Sequence, residues 1–486
     1  MGKTPGTLPK GKEPSIKSLL QDAVWYGGAN IITKVLSLCS FPLIARHFSA
    51  NNFGVVELFA TIAPLIAFII SFGQDSAVAW FFIKESCAKE RQRMISESFW
   101  YQVSLSVPVT AALWFFAPKM LGVFAITGGA VSIFQIVILQ VPFCLIYNYA
   151  LVILKWSSAR TLYASLFVSS AGLYALMIIL GTLYLSINIE TFFWLNFINQ
   201  AVFGLLGLFF IRNWIIIPAG MNYLPRLLVH GAPIGLATML ASMLPVGEKW
   251  IIAHLLSVEQ VGHYAAGGRI AIVIAFMAEA FQSAWAPFAH RYYRDKDARL
   301  IFARTMIVFS SVVLSLVFAL AALATPLIIL LASEKYIEGA AVVFPVAFGL
   351  ALLCIAQVME VSLGIGMKPR LVMYGALFRM ITTIGLIFIL APKYGLQGVA
   401  ASALFGCVTQ SGAVALFVRH TQSESWNVKE AAPIILAAFV GGFCLVVTQY
   451  NWGIKAGSNL AWGGVAMIVT FGWIAYRRVG IGRPSC

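Results

Sequence analysis

The chain has 486 residues, 60% of them hydrophobic and 10% charged, with a mean hydropathy of +0.88. Soluble domains carry about a quarter charged residues, so this composition excludes an ordinary soluble enzyme and describes a polytopic membrane protein. The formal charge of +15 would mark a nucleic-acid surface in a soluble protein, but here the basic residues fill short gaps between apolar runs, so they read as topology signals and no nucleic acid is expected as a partner.

Residues 1–21 form a basic, polar tail, "MGKTPGTLPKGKEPSIKS" and onward. It is expected to stay cytoplasmic, because the run that follows is long enough to remain in the membrane and no small-residue cleavage site stands out. Taking about 20 apolar residues per crossing, the chain then reads as about fourteen spans, at about 22–46, 54–80, 99–117, 130–153, 162–185, 191–211, 230–254, 263–288, 303–331, 341–365, 372–391, 397–418, 431–449 and 459–476. With the N-terminus inside, 24 of the 33 lysines and arginines fall in cytoplasmic segments and five on the other side. That asymmetry predicts both termini in the cytoplasm. The other four, Lys34, Lys249, Arg269 and Arg379, fall within spans.

In the first span Gly27, Asn30, Lys34 and Ser37 recur at spacings of three and four, which puts the lysine on a polar helix face. In the second, Glu57, Thr61, Pro64, Phe68, Ser71 and Asp75 share a face in the same way. The sixth carries Asn196, Asn199 and Gln200, the seventh the adjacent Glu248 and Lys249, the eighth Arg269, Glu279 and Gln282, the tenth Glu360 and the eleventh Arg379. Arg269 and Glu279 lie about 80° apart around their helix. Proline-bearing spans, among them those with Pro42, Pro64, Pro108, Pro142 and Pro345, are expected to kink. Of seven cysteines none forms a CxxC pair, and Cys39, Cys354, Cys407 and Cys444 sit in apolar runs. They are expected to be small buried hydrophobes, with no metal, cofactor or redox role.

The chain repeats itself. "IARHFSANNFG" (Ile44–Gly54) and "IAHLLSVEQVG" (Ile252–Gly262) align without a gap at an offset of 208, and Gln74 maps onto Gln282 at the same offset. "LYASLF" (Leu162–Phe167) echoes "MYGALF" (Met373–Phe378) at an offset of 211. Six predicted spans separate the copies, so the halves face the same way about an axis along the membrane normal, an arrangement in which substrate commonly binds between halves. The expected organisation is all-α: the tail at 1–21, a six-helix bundle at 22–211, a cytoplasmic linker at 212–229, a second six-helix bundle at 230–418, an added helix pair at 419–476 and a tail at 477–486.

The stretch "FPLIARHFSANNFGVVELFATIAPLIAFIISFGQDSAVAWFF" (41–82), the basic loop after it and "APKYGLQGVAASALFG" (391–406) resemble the multidrug/oligosaccharidyl-lipid/polysaccharide (MOP) exporter superfamily, in its polysaccharide-transporter branch of Wzx-type flippases. The resemblance covers about Ser18–Arg419. It implies two six-helix bundles in a V that carry a polyprenyl-diphosphate-linked oligosaccharide, such as an O-antigen repeat unit, across the bacterial cytoplasmic membrane by alternating access. A polysaccharide polymerase and a chain-length regulator are implied as partners. Neighbouring branches include lipid II flippases, which fourteen spans also fit, and multidrug cation antiporters.

On this reading Lys34, Arg269 and Arg379 are candidates to hold the diphosphate, arginine through its planar fork and lysine as a point charge. Asn30, Asn196, Asn199 and Gln200 are candidates for the rest of the substrate. Internal ion pairing and interhelical hydrogen bonding remain the structural alternatives, since the same spans hold five acids, Glu57, Asp75, Glu248, Glu279 and Glu360. A carboxylate in a partly dry cavity can carry a proton or sodium ion, which makes Asp75, Glu57 and Glu279 ion-coupling candidates. No phosphate-cradling G-x-x-x-x-G-K-[ST] motif is present, so work is expected from an ion gradient or from substrate disequilibrium. A membrane polymerase or ligase is disfavoured: "DKD" (Asp295–Asp297) sits among arginines in a short loop, and the outer gaps run to only about ten residues.

Overall fold

The computed structural model describes residues 23–85, 87–123, 130–185, 187–218, 220–292, 298–365, 369–421, 435–442, 444 and 454–481, and every described element is helical. The first predicted span is α1 (Gly28–His47), entered through a π turn at Ala23–Gly27. The second is a broken rod of three pieces, α2 (Ala50–Phe59), α3 (Ile62–Ser71) and α4 (Gln74–Lys84). Then come α5 (Ala88–Val123), α6 (Ala130–Leu139), α7 (Val141–Trp156), α8 (Arg160–Leu180), α9 (Ile189–Ile211) and α10 (Leu224–Leu255). The remainder is α11 (Val258–Ala271), α12 (Val273–Tyr292), α13 (Ala298–Ala322), α14 (Ala324–Leu331), α15 (Ala340–Ile365), α16 (Pro369–Thr421) and α17 (Ile454–Ile481).

Ten stretches among the described residues are long and apolar enough to cross a membrane. One of them, Met373–His420, contains two predicted spans, because Gly395 at φ 56°, ψ −136° breaks α16 between them. Helix α10 is not among the ten; it carries Arg226, His230, Glu248 and Lys249 along its length. Of the predicted thirteenth span, 431–449, only 435–442 and 444 lie within the described residues, and they are helical. The prolines behave unevenly. Helices α1, α5 and α15 continue through Pro42, Pro108 and Pro345, whereas Pro142 opens α7 and so marks a real break.

The packing divides the chain into two compact units, Met1–His47 with Val55–Trp250, and Phe48–Gly54 with Ile251–Cys486. In the first, α9 packs on α7 and α8, α1 on α8, and α5 on α6 and α7. Its core gathers Val78, Phe82, Ile95, Phe99, Tyr149, Ile153 and Leu227, all buried. In the second, α15 is the hub, packed by α11, α12, α13 and α16, and α13 in turn holds α17. Cys144, Cys354 and Cys407 are buried as expected, but Cys39 and Cys444 are exposed. On a helix that meets lipid, an apolar run does not require its cysteine to face inward.

The internal repeat reappears as geometry within the second unit. Ser49 Oγ accepts the Asn52 N–H and Ser257 Oγ accepts the Gln260 N–H, each at 3.2 Å, so the two helices begin with the same cap. A Cβ placed on Gly54 would lie 2.0 Å from the Val258 carbonyl oxygen, and one on Gly262 would lie 2.1 Å from that of Ala50. Positions 50 and 258, like 54 and 262, are 208 apart. The contact is therefore reciprocal about a local twofold axis, and only glycine permits it.

Candidate functional site

The break in the second span sets up the first candidate. Phe72 and Gly73 are both left-handed, at φ 41° and 75°. A phenylalanine in that region costs about 1–2 kcal/mol, so tertiary packing must impose the turn. It does so through glycine. A Cβ on Gly73 would lie 2.3 Å from the Gly231 carbonyl oxygen and 2.6 Å from the Gly235 N, so the broken backbone rests on a G-x-x-x-G face of α10.

Around the break lies a buried polar cluster. Ser71 Oγ donates to Asp75 Oδ2 at 3.3 Å, which joins two residues of the predicted polar face across the interruption. Gln74 is fully buried, and its Oε1 accepts from Ser98 Oγ of α5 at 2.8 Å. Gln102 Nε2 donates to the same Ser98 Oγ at 3.3 Å. Tyr149 of α7, also buried, donates to the Ile95 carbonyl at 2.7 Å. Two atoms of the cluster, Gln74 Nε2 and Asp75 Oδ1, are buried without a hydrogen-bond partner. Each such atom costs about 1–3 kcal/mol, so a structural network would be expected to close both.

Lys34 lies on α1, half-buried, within the membrane-length stretch Trp25–His47. On the same face Asn30 Nδ2 donates to the Tyr26 carbonyl one turn earlier at 3.0 Å, so its amide is used by its own helix. Asn199 is buried on α9 and donates to Ser170 Oγ of α8 at 3.2 Å; its Oδ1 and the Oε1 of Gln200 are buried without partners. Asn196 is half-buried on the same helix. All of these residues belong to the first unit. Arg269 and Arg379 are half-buried and Glu279 is exposed, on α11, α16 and α12 of the second. Arg379 Nε is buried without a partner.

Glu57 and Lys249 are joined directly. Lys249 Nζ lies 2.7 Å from Glu57 Oε2, with the two side chains 17% and 8% exposed. Trp250 packs edge-on against Phe59 at 5.9 Å beside them. The pair binds α10 to α2 at the opposite end of α10 from its start.

That start is held just as firmly. Glu97 of α5 is buried, and its Oε2 accepts the N–H groups of Tyr223 at 2.6 Å and Leu224 at 3.1 Å, capping the 32-residue helix α10 from outside the helix. The segment before it lies along α5 as well. Gln92 donates to the Asn213 carbonyl, Ser96 Oγ accepts the Ile216 N–H at 2.9 Å, and Trp100 Nε1 donates to the Ile216 carbonyl at 3.0 Å. The Tyr223 hydroxyl donates to Glu90, which pushes its phenol up to about 12. Two groups of site residues went unmarked in the sequence. Ser98, Gln102, Ser106 and Thr110 carried a signal, a spacing of four that begins just before the third span, while the Glu97 cap spans 126 residues and carried none.

Residues 43–341 match the polysaccharide biosynthesis protein family. Among solved structures, the lipid II flippase MurJ in its inward closed conformation superposes with a TM-score of 0.74 at 14% identity, over 94% of this chain and 99% of that one. A point mutant of the Vibrio cholerae MATE transporter VcmN gives 0.59 at 15% identity, over 83% and 96%. An inward-facing multidrug resistance MATE family transporter of the MOP superfamily gives 0.63 at 15%, over 80% and 94%. These likenesses show a shared fold. No curated protein sequence matches the chain.

Proposed function

We propose a function from the premise that this chain belongs to the polysaccharide biosynthesis protein family: it is a flippase that moves a polyprenyl-diphosphate-linked oligosaccharide from the inner to the outer leaflet of the bacterial cytoplasmic membrane. It does so as a secondary transporter driven by an ion gradient, with both termini in the cytoplasm. The observation that carries the reading is Lys34, a cation kept half-buried within a membrane-length apolar helix. A lysine at mid-bilayer costs roughly 2.5–3.5 kcal/mol by insertion scales. An anionic headgroup that visits the same depth is drawn to this charge, because each charge lowers the other's desolvation penalty. Arg269 and Arg379 are assigned the same chemistry, and Asn196 and Gln200 contact the sugar.

Asp75, Glu57 and Glu279 remain the carboxylates considered for ion coupling. The Lys249 ion pair favours a fastening role for Glu57, which leaves Asp75 as the stronger assignment. A second reading, lipid II as substrate, is favoured by the extent of the match to the lipid II flippase. Both substrates share the polyprenyl diphosphate and differ in the sugar. The test is leaflet-specific flipping in vesicles carrying the full chain, with each lipid supplied separately. Flipping of the oligosaccharide lipid supports the first reading and flipping of lipid II alone supports the second. Flipping of neither would end both.

A further inference from the structure

The cluster at the Phe72–Gly73 break has an open donor and an open acceptor on adjacent residues. Gln74 is 0% exposed and yet its Nε2 finds no acceptor, while Asp75 Oδ1 finds no donor. Among the described residues no cation is paired with Asp75. Around them Ser71 donates to Asp75 Oδ2, Ser98 donates to Gln74 Oε1, and Gln102 donates to Ser98 and lies within hydrogen-bond reach of the Asp75 carboxyl. Two buried polar atoms without partners, held side by side by hydrogen-bonded neighbours, are the form of a site for a small mobile species.

From the cluster a polar lane runs on along α5. Ser98, Gln102, Ser106 and Thr110 recur every four residues toward the Val123 end, and all four are buried. Successive members advance only about 40° around the helix, so they form a slowly winding stripe. Ser106 Oγ donates to its own helix at the Val103 carbonyl, and Thr110 Oγ1 has no partner. Small hydroxyls also serve helix packing in membranes, but the Gln102 amide and the open Thr110 hydroxyl extend the polar line beyond what packing asks.

We propose that the Phe72–Gly73 break is a proton-binding site, with Asp75 as the group that accepts the proton and the Ser98–Gln102–Ser106–Thr110 stripe as its connection toward the Val123 end of α5. This rests on the flippase reading and deepens it by naming the coupling ion and its place. The step is simple: one proton adds to Oδ1 of the Asp75 carboxylate to give the neutral acid, and the same proton leaves when the carboxylate is restored, with no electron transferred. A sodium ion would need several oxygens around one point. Here Asp75 Oδ2 and Gln74 Oε1 each already accept a hydrogen bond, and the open group beside Asp75 Oδ1 is the Gln74 Nε2 donor, which repels a cation.

Of the other titratable groups on the elements packed against α4, Tyr149 lies close enough to feel the charge of Asp75, and several have partners of their own. Glu97 of α5 caps α10, and Arg91 Nη2 donates to the Glu85 carbonyl. Tyr149 of α7 bonds Ile95, and Cys144 receives the Asn148 amide. His230 of α10 lies on the rings of Trp80 and Phe81.

The experiment uses full-length protein in vesicles with the membrane voltage clamped. An imposed difference of one pH unit, acid on the side of the Val123 end, should drive the lipid-linked oligosaccharide to a leaflet ratio of about tenfold for one proton exchanged. The ratio should fall to one in Asp75→Asn, and a sodium gradient should have no effect. In parallel, infrared difference spectra between acid and alkaline pH should show a carboxyl band that Asp75→Asn removes and Gln102→Leu shifts. A pH-driven ratio retained in Asp75→Asn, or a carboxyl band unchanged by it, overturns the proposal. A band that behaves as expected in a protein that flips no lipid upholds the proton site and defeats the flippase reading instead.

Discussion

Glu57 and Lys249 offer the sharpest stability test. At 2.7 Å and an effective dielectric of about 20, two unit charges attract by about 6 kcal/mol. Desolvation takes back several kcal/mol per ion for groups this buried, so the pair as a whole is worth little more than two well-packed apolar residues. Removing one partner is different, since it strands a buried charge and typically costs about 3–5 kcal/mol. Lys249→Met and Glu57→Gln should therefore each destabilise by about that amount. The double replacement Glu57→Leu with Lys249→Leu should recover most of the loss. Equilibrium unfolding in mixed detergent micelles, followed by tryptophan fluorescence, measures all three. Single variants no less stable than the wild type, or a double variant as damaged as the sum of the singles, would refute the reasoning. If Glu57→Gln were fully stable and lost only its response to an ion gradient, Glu57 would return as the coupling carboxylate.

Two further outcomes follow from the packing. Glu97→Ala removes the acceptor for the Tyr223 and Leu224 N–H groups and should cost about 1–3 kcal/mol, with hydrogen exchange accelerating first at residues 213–224. Gly54→Ala and Gly262→Ala each drive a methyl carbon to about 2 Å from a backbone oxygen, so both should abolish the folded yield on size-exclusion chromatography, and by symmetry to a similar degree. A Gly54→Ala protein that melts like the wild type would mean that the two helix starts do not touch.

Much of the fold was legible because a bilayer demands long apolar helices and the repeat marked related positions 208 residues apart. Gly54 and Gly262 stood out as identities, and the structure gives them one job. What the sequence hid lies in pairings at long range. Lys249 sits beside Glu248, yet neighbours on a helix point to different sides, and its partner Glu57 lies 192 residues away. The break at Phe72–Gly73 was likewise obscured, because nearby Pro64 drew attention while the turn is set by backbone contact with Gly231 and Gly235. Asn30 and Asn199 looked alike as substrate donors, but one serves its own helix and the other its neighbour, a distinction only geometry makes. The polar faces were visible; which polar atoms were left open was not.

On the proposed function, transport turns on Lys34. With Lys34→Ala and Lys34→Arg proteins reconstituted at equal density, the rate at which a polyprenyl-diphosphate oligosaccharide reaches the outer leaflet should drop at least tenfold in the alanine variant and largely recover in the arginine variant, because the headgroup needs a positive charge at that depth. Equal flipping by the wild type and Lys34→Ala would contradict the account at its centre.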